Sequence, residues 1–376
     1  MPLQDDVQIV SVDDHVIETP NVFKDRLPAK FVDRGPQITR TDAGHDVWVY
    51  DGVPHPTIGL NAVAGKDRED YGMEPTAYTD MRLGCYSVKE RLEDMDAEGV
   101  HAQLCFPSFP GFAGSTFFRA PDKELAVACV SAWNDWAMDE WCGGMPGRQI
   151  PLAILPYWDI DATVAEAERV IAKGVRTFSF CEAPHAVGLP SFHTDHWDPF
   201  LALCNEANVP LSIHFGSGGA PAVAPGAPFT AAIALYGLNS QMAMIDLVNT
   251  RLFEKFPNLK FALSEGGIGW MPYMLERADY TWDRHRYYTG MNTAKKPSEI
   301  FKDHLFGCFI YDDAGIRNLD LIGEDNVMFE SDYPHSDSNW PHTRKMLSES
   351  LSGVSDAVCR KVAEDNARRV YNFPRS

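Results

Sequence analysis

Six side chains able to ligate a cation fall at the ends of short apolar runs. Asp13 and His15 follow VQIVSV, His214 closes LSIHF, Glu265 follows LKFALS, and Asp332 with His335 follows NVMFES. Imidazole and carboxylate are common ligands of divalent transition ions. Asp13 and His15 lie two residues apart, so on an extended strand they project from one face. His214 is followed by GSGG, where backbone can turn tightly beside a ligand. Asp332 opens SDYPHSD, and a carboxylate at the end of a buried run is costly unless it is paired or bound to a cation. A lone DxH is a weak signal, and an isolated His is as often a satisfied core residue. The shared placement at four strand ends is the stronger sign, because such ends converge where a barrel holds an ion over its mouth.

Positioning these residues requires strands, and eight short β-type runs are expected: 7–12, 100–106, 150–156, 175–181, 209–215, 259–264, 306–311 and 326–331. Most are almost continuously apolar, as strands covered on both faces should be. Helical patterns fall between them at 87–98, 122–143, 161–173, 197–207, 240–254, 270–287 and 315–322. In 161–173, Val164, Ala167, Val170 and Ile171 share one face, with Glu166, Glu168 and Arg169 expected in solvent. Asp161 is the expected N-cap and Gly174 the expected C′ residue. Eightfold alternation predicts a distorted (β/α)₈ TIM barrel. A doubly wound open sheet would place a glycine-rich loop after its first strand, where this chain has DDHVIETP.

Two stretches depart from the alternation. Residues 16–86 are rich in Pro and Gly and contain an expected hairpin at HDVWVYDGVPHP; they read as an insertion after strand one that forms a lid over the barrel mouth. Residues 338–373 carry two extra C-terminal helices expected to wrap the outside. The whole chain, 1–376, reads as one domain.

The bulk numbers exclude some functions. A net charge of −20 argues against a nucleic-acid partner. No uninterrupted run of eighteen apolar residues exists, so no membrane span is expected. The acidic N-terminus does not resemble a signal peptide, and the eight cysteines form no CxxC pair, so reduced thiols and a cytoplasmic location are expected.

The stretches VDDHVIETPNVFKDRLP, RLEDMDAEGV, CFPSFPGF, GLPSFHTDHWDPF, IHFGSGG, SEGGIGWMPYMLERAD and NVMFESDYPH resemble the amidohydrolase superfamily. The similarity is to its amidohydrolase-related branch, which includes the aminocarboxymuconate-semialdehyde decarboxylase-like enzymes. The resemblance implies a divalent metal on Asp13, His15, His214 and Asp332. Two departures stand out: Asp13 replaces the first His of the common HxH, and Glu265 replaces a His often found after strand six. Three His and three carboxylates exceed one tetrahedral zinc site. The expectation is therefore two ions, iron or manganese, with Glu265 and His335 serving the second. The alternative is one ion, zinc, with Glu265 as base and His335 as a substrate contact.

The leading functional expectation is a metal-dependent hydrolase of a small amide, ester or thioester, using metal-bound hydroxide, with Asp332 or Glu265 shuttling the proton. Alternatives are an O₂-dependent dinuclear Fe/Mn hydroxylase of a small amino or carboxylic acid, a non-oxidative decarboxylase, and a metal-holding subunit that supports a catalytic partner. The expected partners are a small-molecule substrate and a second copy or related subunit. Lesser candidates complete the set. Glu182 stands where several superfamily members place a bridging carboxylate, although a solvated loop acid is the plainer reading. His185, His193, Asp337 and Trp340 could line the mouth, and Phe106, Phe109 and Phe112 an apolar wall. Arg82 and Lys66 could meet a substrate carboxylate. The stripe Trp270, Tyr273, Tyr280 and Trp282 reads as helix packing or an oligomer contact.

Overall fold

A computed structural model describes residues 3–56, 58, 59, 61–72 and 75–375. Eight parallel barrel strands occur in the expected order: Ile9–Val16, Val100–Pro107, Leu152–Ala153, Thr177–Cys181, Leu211–His214, Phe261–Ser264, Leu305–Phe309 and Val327–Phe329. The third to eighth form one continuous parallel ladder, and the first and second pair separately. Backbone bonds join the two pieces. Ile150 N–H donates to Gln103 O at 2.8 Å on one side, and Asp332 N–H to Asp13 O at 2.9 Å and His15 N–H to Tyr333 O at 2.7 Å on the other. The fold is a distorted (β/α)₈ barrel.

The distortion has local causes. The third strand keeps only two ladder residues. The first strand slips register between Ser11 and Asp14, taking one residue more than its partner. Such a bulge re-aims side chains, and Asp13, Asp14 and His15 are all buried.

Helices cover the strands as the periodicity predicts. Phe200, Leu201 and Cys204 of the helix Asp198–Ala207, and Ala167 and Val170 of the helix Ile160–Lys173, share a core with Phe178, Phe180, Leu211 and Ile213. The cap of the second helix differs from expectation. Asp159, extended at φ −139°, accepts from Ala162 N–H, while Asp161 sits in the first turn, where its charge suits the helix dipole. Gly174 does take the left-handed C-terminal position, at φ 98°. Glu166, expected in solvent, is buried because the helix Lys123–Trp136 packs over it. It accepts from Asn134, Ser131 and Arg169.

The expected hairpin is present, as Asp46–Tyr50 against Val53–His55, and a third strand, Gln37–Arg40, extends it. Trp48 packs on Phe109 at 4.7 Å, and Val63 and Ala64 N–H groups both donate to Pro334 O at 3.0 Å. The insertion therefore touches the loops after strands two and eight. At the C-terminus lie Thr343–Ser350 and a helical run from Asp356 to Val370. All eight cysteines are unpaired. One segment among the described residues, Phe229–Val248, has the length and mean hydropathy (1.3) of a membrane span, which a search for uninterrupted apolar runs misses. It is two helices, Phe229–Leu235 and Gly237–Val248, and Met244, Leu247 and Val248 of the second pack in the barrel core.

Candidate active site

The barrel gathers all six ligand-type side chains at the C-terminal ends of strands one, five, six and eight. His15 Nε2 lies 3.4 Å from Asp13 Oδ1 and 3.1 Å from Asp332 Oδ1. His214 Nε2 lies 3.5 Å from Asp13 Oδ2 and 3.1 Å from Glu265 Oε2. His335 Nδ1 is 2.9 Å from Asp332 Oδ1, and its ring stacks on His15 at 3.8 Å. These approaches lack hydrogen-bond alignment. Both oxygens of Asp13 and Asp332, both nitrogens of His15, and Nε2 of His214 and His335 are buried without a hydrogen-bond partner. Donor atoms that converge but do not satisfy one another fit a shared cation. Asp13, His15 and His214 form one group able to hold an ion, and His15, Asp332 and His335 another.

Local backbone aims these groups. Glu265 and Asp332 both sit at positive φ, 58° and 55°, a region costly for residues with a Cβ. His214 Nδ1 is 2.7 Å from Phe215 O, which leaves Nε2 facing the cluster. Electrostatics follow from burial and crowding. Burial, then the charges of Glu330, Glu265 and Asp332, pushes Asp13 well up, and burial with the neighbouring His335 pushes His15 down. Burial and Asp332 push Glu265 up to about 7. Burial would also raise Asp332, but His335 and His15 hold it below the usual carboxylate range. Burial would lower His335, and Asp332 more than offsets that, so it is raised.

Three buried charged groups behind the cluster escaped the sequence reading. Glu330 accepts the Glu265 N–H with both oxygens, at 3.0 and 3.1 Å. Asp14 accepts from Tyr333 N–H at 3.0 Å and from the Ser331 hydroxyl. Arg91 donates to the carbonyls of His15 (2.6 Å) and Gly84 (2.5 Å). A period-two signal was there for Glu330, which stands two residues before Asp332 just past the same strand, the spacing of Asp13 and His15.

The lesser candidates divide. Phe112 stacks on His214 at 3.7 Å and Phe106 lies 5.0 Å from it, so both wall the cluster. Phe109 turns away to Trp48. Glu182 is not a solvated loop acid: it is buried, and its Oε1 accepts from Gly218 N–H and Asn239 Nδ2. His193 Nε2 pairs with Asp246 at 2.7 Å near the surface. Asp337 is pushed up by burial and Asp332. Arg82 is engaged by Asp94, with Nη2 to Oδ1 at 2.6 Å, and lies over Trp340, whose Nε1 donates to Asp94 O. The contacts that assemble the cluster do not include Lys66. In the aromatic stripe, Trp270 and Trp282 donate to the carbonyls of Gly266 and Met291, while Tyr273 and Tyr280 are exposed. A cavity of about 990 Å³ opens beside the cluster, between the loops that follow strands four and five; Glu182 and His185 are part of its wall.

The family model described as amidohydrolase matches residues 41–373. A 2-keto-4-carboxy-3-hexenedioate hydratase from a Sphingobium species is 29% identical over 313 residues, covering 77% of this chain and 80% of that protein. A gamma-resorcylate decarboxylase from a Polaromonas species is 22% identical over 314 residues, 76% of this chain and 87% of the relative. Among solved structures, an amidohydrolase from Mycobacterium avium subsp. paratuberculosis superposes with a TM-score of 0.72 at 21% identity, covering 98% of this chain and all of the other. A 5-carboxyvanillate decarboxylase from Novosphingobium aromaticivorans, complexed with manganese, gives 0.68 at 18% identity, with 98% and 96% covered.

Proposed function

The chain belongs to the amidohydrolase family, and from that membership we propose that it is a divalent-metal-dependent lyase, a non-oxidative decarboxylase of a small, oxygen-bearing carboxylic acid. The observation that carries this reading is the set of buried, unpartnered donor atoms converging on His15 Nε2, with a proton-holding carboxyl, Glu265, beside them. Both candidate ligand groups include His15. A shared imidazole favours one ion over two, held by Asp13, His15, His214 and Asp332. The bound ion would orient and polarise the oxygens of the substrate.

The chain's own residues then divide the work. His335 turns Nδ1 toward Asp332, 2.9 Å from Oδ1, so that Nε2, buried without a partner, is the atom offered to the substrate carboxylate. Glu265, raised to about 7, carries a proton near neutral pH and delivers it to the carbon that loses its carboxylate. The C–C electron pair stays on that carbon, the carboxylate departs as CO₂, and the acid is re-protonated from solvent. Phe106 and Phe112 keep water from this face. Amide or ester hydrolysis finds less support, since the two curated relatives are named as a decarboxylase and a hydratase. The hydratase suggests a second reading, in which the same acid protonates an alkene carbon while water adds to its neighbour.

The test is turnover of a panel by manganese-loaded protein: dihydroxybenzoates, 5-carboxyvanillate, an unsaturated 2-keto diacid, and simple amides and esters. CO₂ release with deuterium from D₂O in the product C–H bond supports decarboxylation. Loss of alkene absorbance without CO₂ moves the assignment to the hydratase. Hydrolysis alone overturns both. Glu265→Gln is expected to keep the ion and lower turnover by about 10²–10⁴-fold; loss of one of two ions would restore the dinuclear site.

A further inference from the structure

The cavity beside the cluster carries a feature the chemistry above does not use. Its wall combines the strand-four loop (Glu182, His185), the strand-five loop from Gly218 to Ala222, and the helix Gly237–Val248. Both loops leave the C-terminal ends of their strands, the side where the six ligand-type residues gather. A hydrogen-bonded path joins the two places: Ser217 Oγ donates to His214 O at 2.6 Å, and Glu182 N–H donates to Ser217 Oγ at 3.0 Å. Leu238 and Met242, 41% and 63% exposed, stand at the solvent end. The cluster itself is closed, with Asp13, His15 and His214 at 0% exposure. The volume, about 990 Å³, is that of a small-molecule pocket.

The chemistry of the wall is selective. Most of it is apolar, with Ala, Pro, Leu, Ile and Met side chains. Its charged members are Glu182 and Asp246, and no Lys or Arg is among its described lining residues. Glu182 Oε1 is fully used by Gly218 and Asn239, but Oε2 is buried and has no partner. A buried carboxylate oxygen left in this state asks for a hydrogen-bond donor.

We propose that this cavity receives the non-reacting end of the substrate, and that Glu182 selects an apolar tail ending in a hydroxyl or amine over one ending in a second carboxylate. The inference rests on the proposed acid-processing site for the position of the substrate's head, and it sharpens the substrate class. The head carboxylate sits at the cluster, and the tail runs outward past Glu182. A second carboxylate would meet an acceptor at Glu182 and find no Lys or Arg among the described lining residues to pair with.

Binding tests this without requiring turnover. Calorimetric titration of the manganese-loaded protein uses four probes: benzoate, 4-propylbenzoate, 4-(3-hydroxypropyl)benzoate and 4-(2-carboxyethyl)benzoate. The hydroxyl probe is expected to bind about tenfold more tightly than the propyl probe, and the dicarboxylate more weakly than either. Glu182→Gln presents an N–H donor in place of an acceptor, so the ratio of dicarboxylate to hydroxyl-probe affinity should rise at least about tenfold. Met242→Trp, a change at the exposed rim, should lower the affinity of all three tailed probes relative to benzoate. Equal shifts for every probe in Glu182→Gln, or tailed probes that bind no differently from benzoate in both variants, overturn the assignment. A correct probe order with no CO₂ release and no hydration from any acid would leave the pocket standing and remove the lyase reading.

Discussion

The two halves of the barrel mouth are built differently. On the side of strands one and eight, Asp13, His15 and Asp332 are locked by cross-strand backbone bonds, by Asp14 beneath Tyr333, and by the Arg91 guanidinium on the His15 carbonyl. On the side of strands four, five and six, the loops after strands five and six are glycine-rich. His214 is steadied by the carbonyl of its own neighbour Phe215 and by the face of Phe112. The first side fixes charge in place, and the second leaves room, including the cavity. Orienting an ion needs stiffness, and admitting a substrate needs space; the molecule assigns the two demands to opposite arcs of one ring.

The largest expected effect comes from breaking the point where the arcs meet. His214→Ala should lower metal affinity by more than about 100-fold, beyond what loss of a supporting contact costs, and abolish turnover. Elemental analysis of protein purified without chelator reads the result. Truncation leaves a small cavity against Phe106 and Phe112, so the apo variant should melt modestly below apo wild type but still fold. Full metal occupancy would mean that the closed arc alone forms the site.

Much of this division was legible beforehand, for a physical reason. Strand-end ligands leave a mark because an apolar run and a polar residue adjoin in sequence, and all six were found that way. The supports behind them were not. Arg91 lies on the helix Val88–Glu98 and meets His15 only through the fold, seventy-six positions away. Glu182 was read as a solvated loop acid because nothing beside it in sequence buries it; burial came with Gly218 and Asn239, which arrive from another loop and a helix. Strand lengths were overestimated at 150–156, where apolar residues continue beyond the ladder, and at 326–331, where the ladder stops at Phe329. Hydrophobicity reports burial, and ladder bonds end where strands splay.

Arg91→Met probes the rigid arc directly. It removes the donors to three buried carbonyls, those of Gly84, Cys85 and His15, while keeping much of the volume. The expected cost is about 3 kcal/mol, read as a lower urea midpoint. Metal affinity should fall as well, because the His15 backbone loses its anchor. A stability loss with unchanged metal affinity would show that the ligands hold their own geometry.

Glu18 gives a pH-dependent contrast between support and catalysis. Burial pushes it up to about 7, although Ser108 and Phe109 N–H groups and Trp133 Nε1 donate to it. The folded chain therefore keeps this proton up to about pH 7, whereas the unfolded chain releases it near 4.5. Between those values the folded state binds more protons, so stability falls as pH rises, by at most about 1.4 kcal/mol per unit, and levels off above the window. Urea midpoints of metal-loaded protein across pH 4.5–7 should decline in wild type and decline less steeply in Glu18→Gln. Parallel slopes would place the titration elsewhere.

The smallest effect expected lies at the edge of the rigid arc. Arg82 was a candidate for meeting a substrate carboxylate, but its guanidinium is engaged by Asp94 through Nε and Nη2 and stacks on Trp340 at 4.1 Å. It is more than one-third exposed, so solvent screens the pair. Arg82→Lys loses the second hydrogen bond and the planar stacking but keeps the charge, at an expected cost of under about 1 kcal/mol. KM for the acid identified by the panel should not move, since the charge that meets a carboxylate is placed at His335 and the ion. A severalfold rise in KM with unchanged melting would reassign Arg82 to the substrate and extend the binding surface from the open arc across to the closed one.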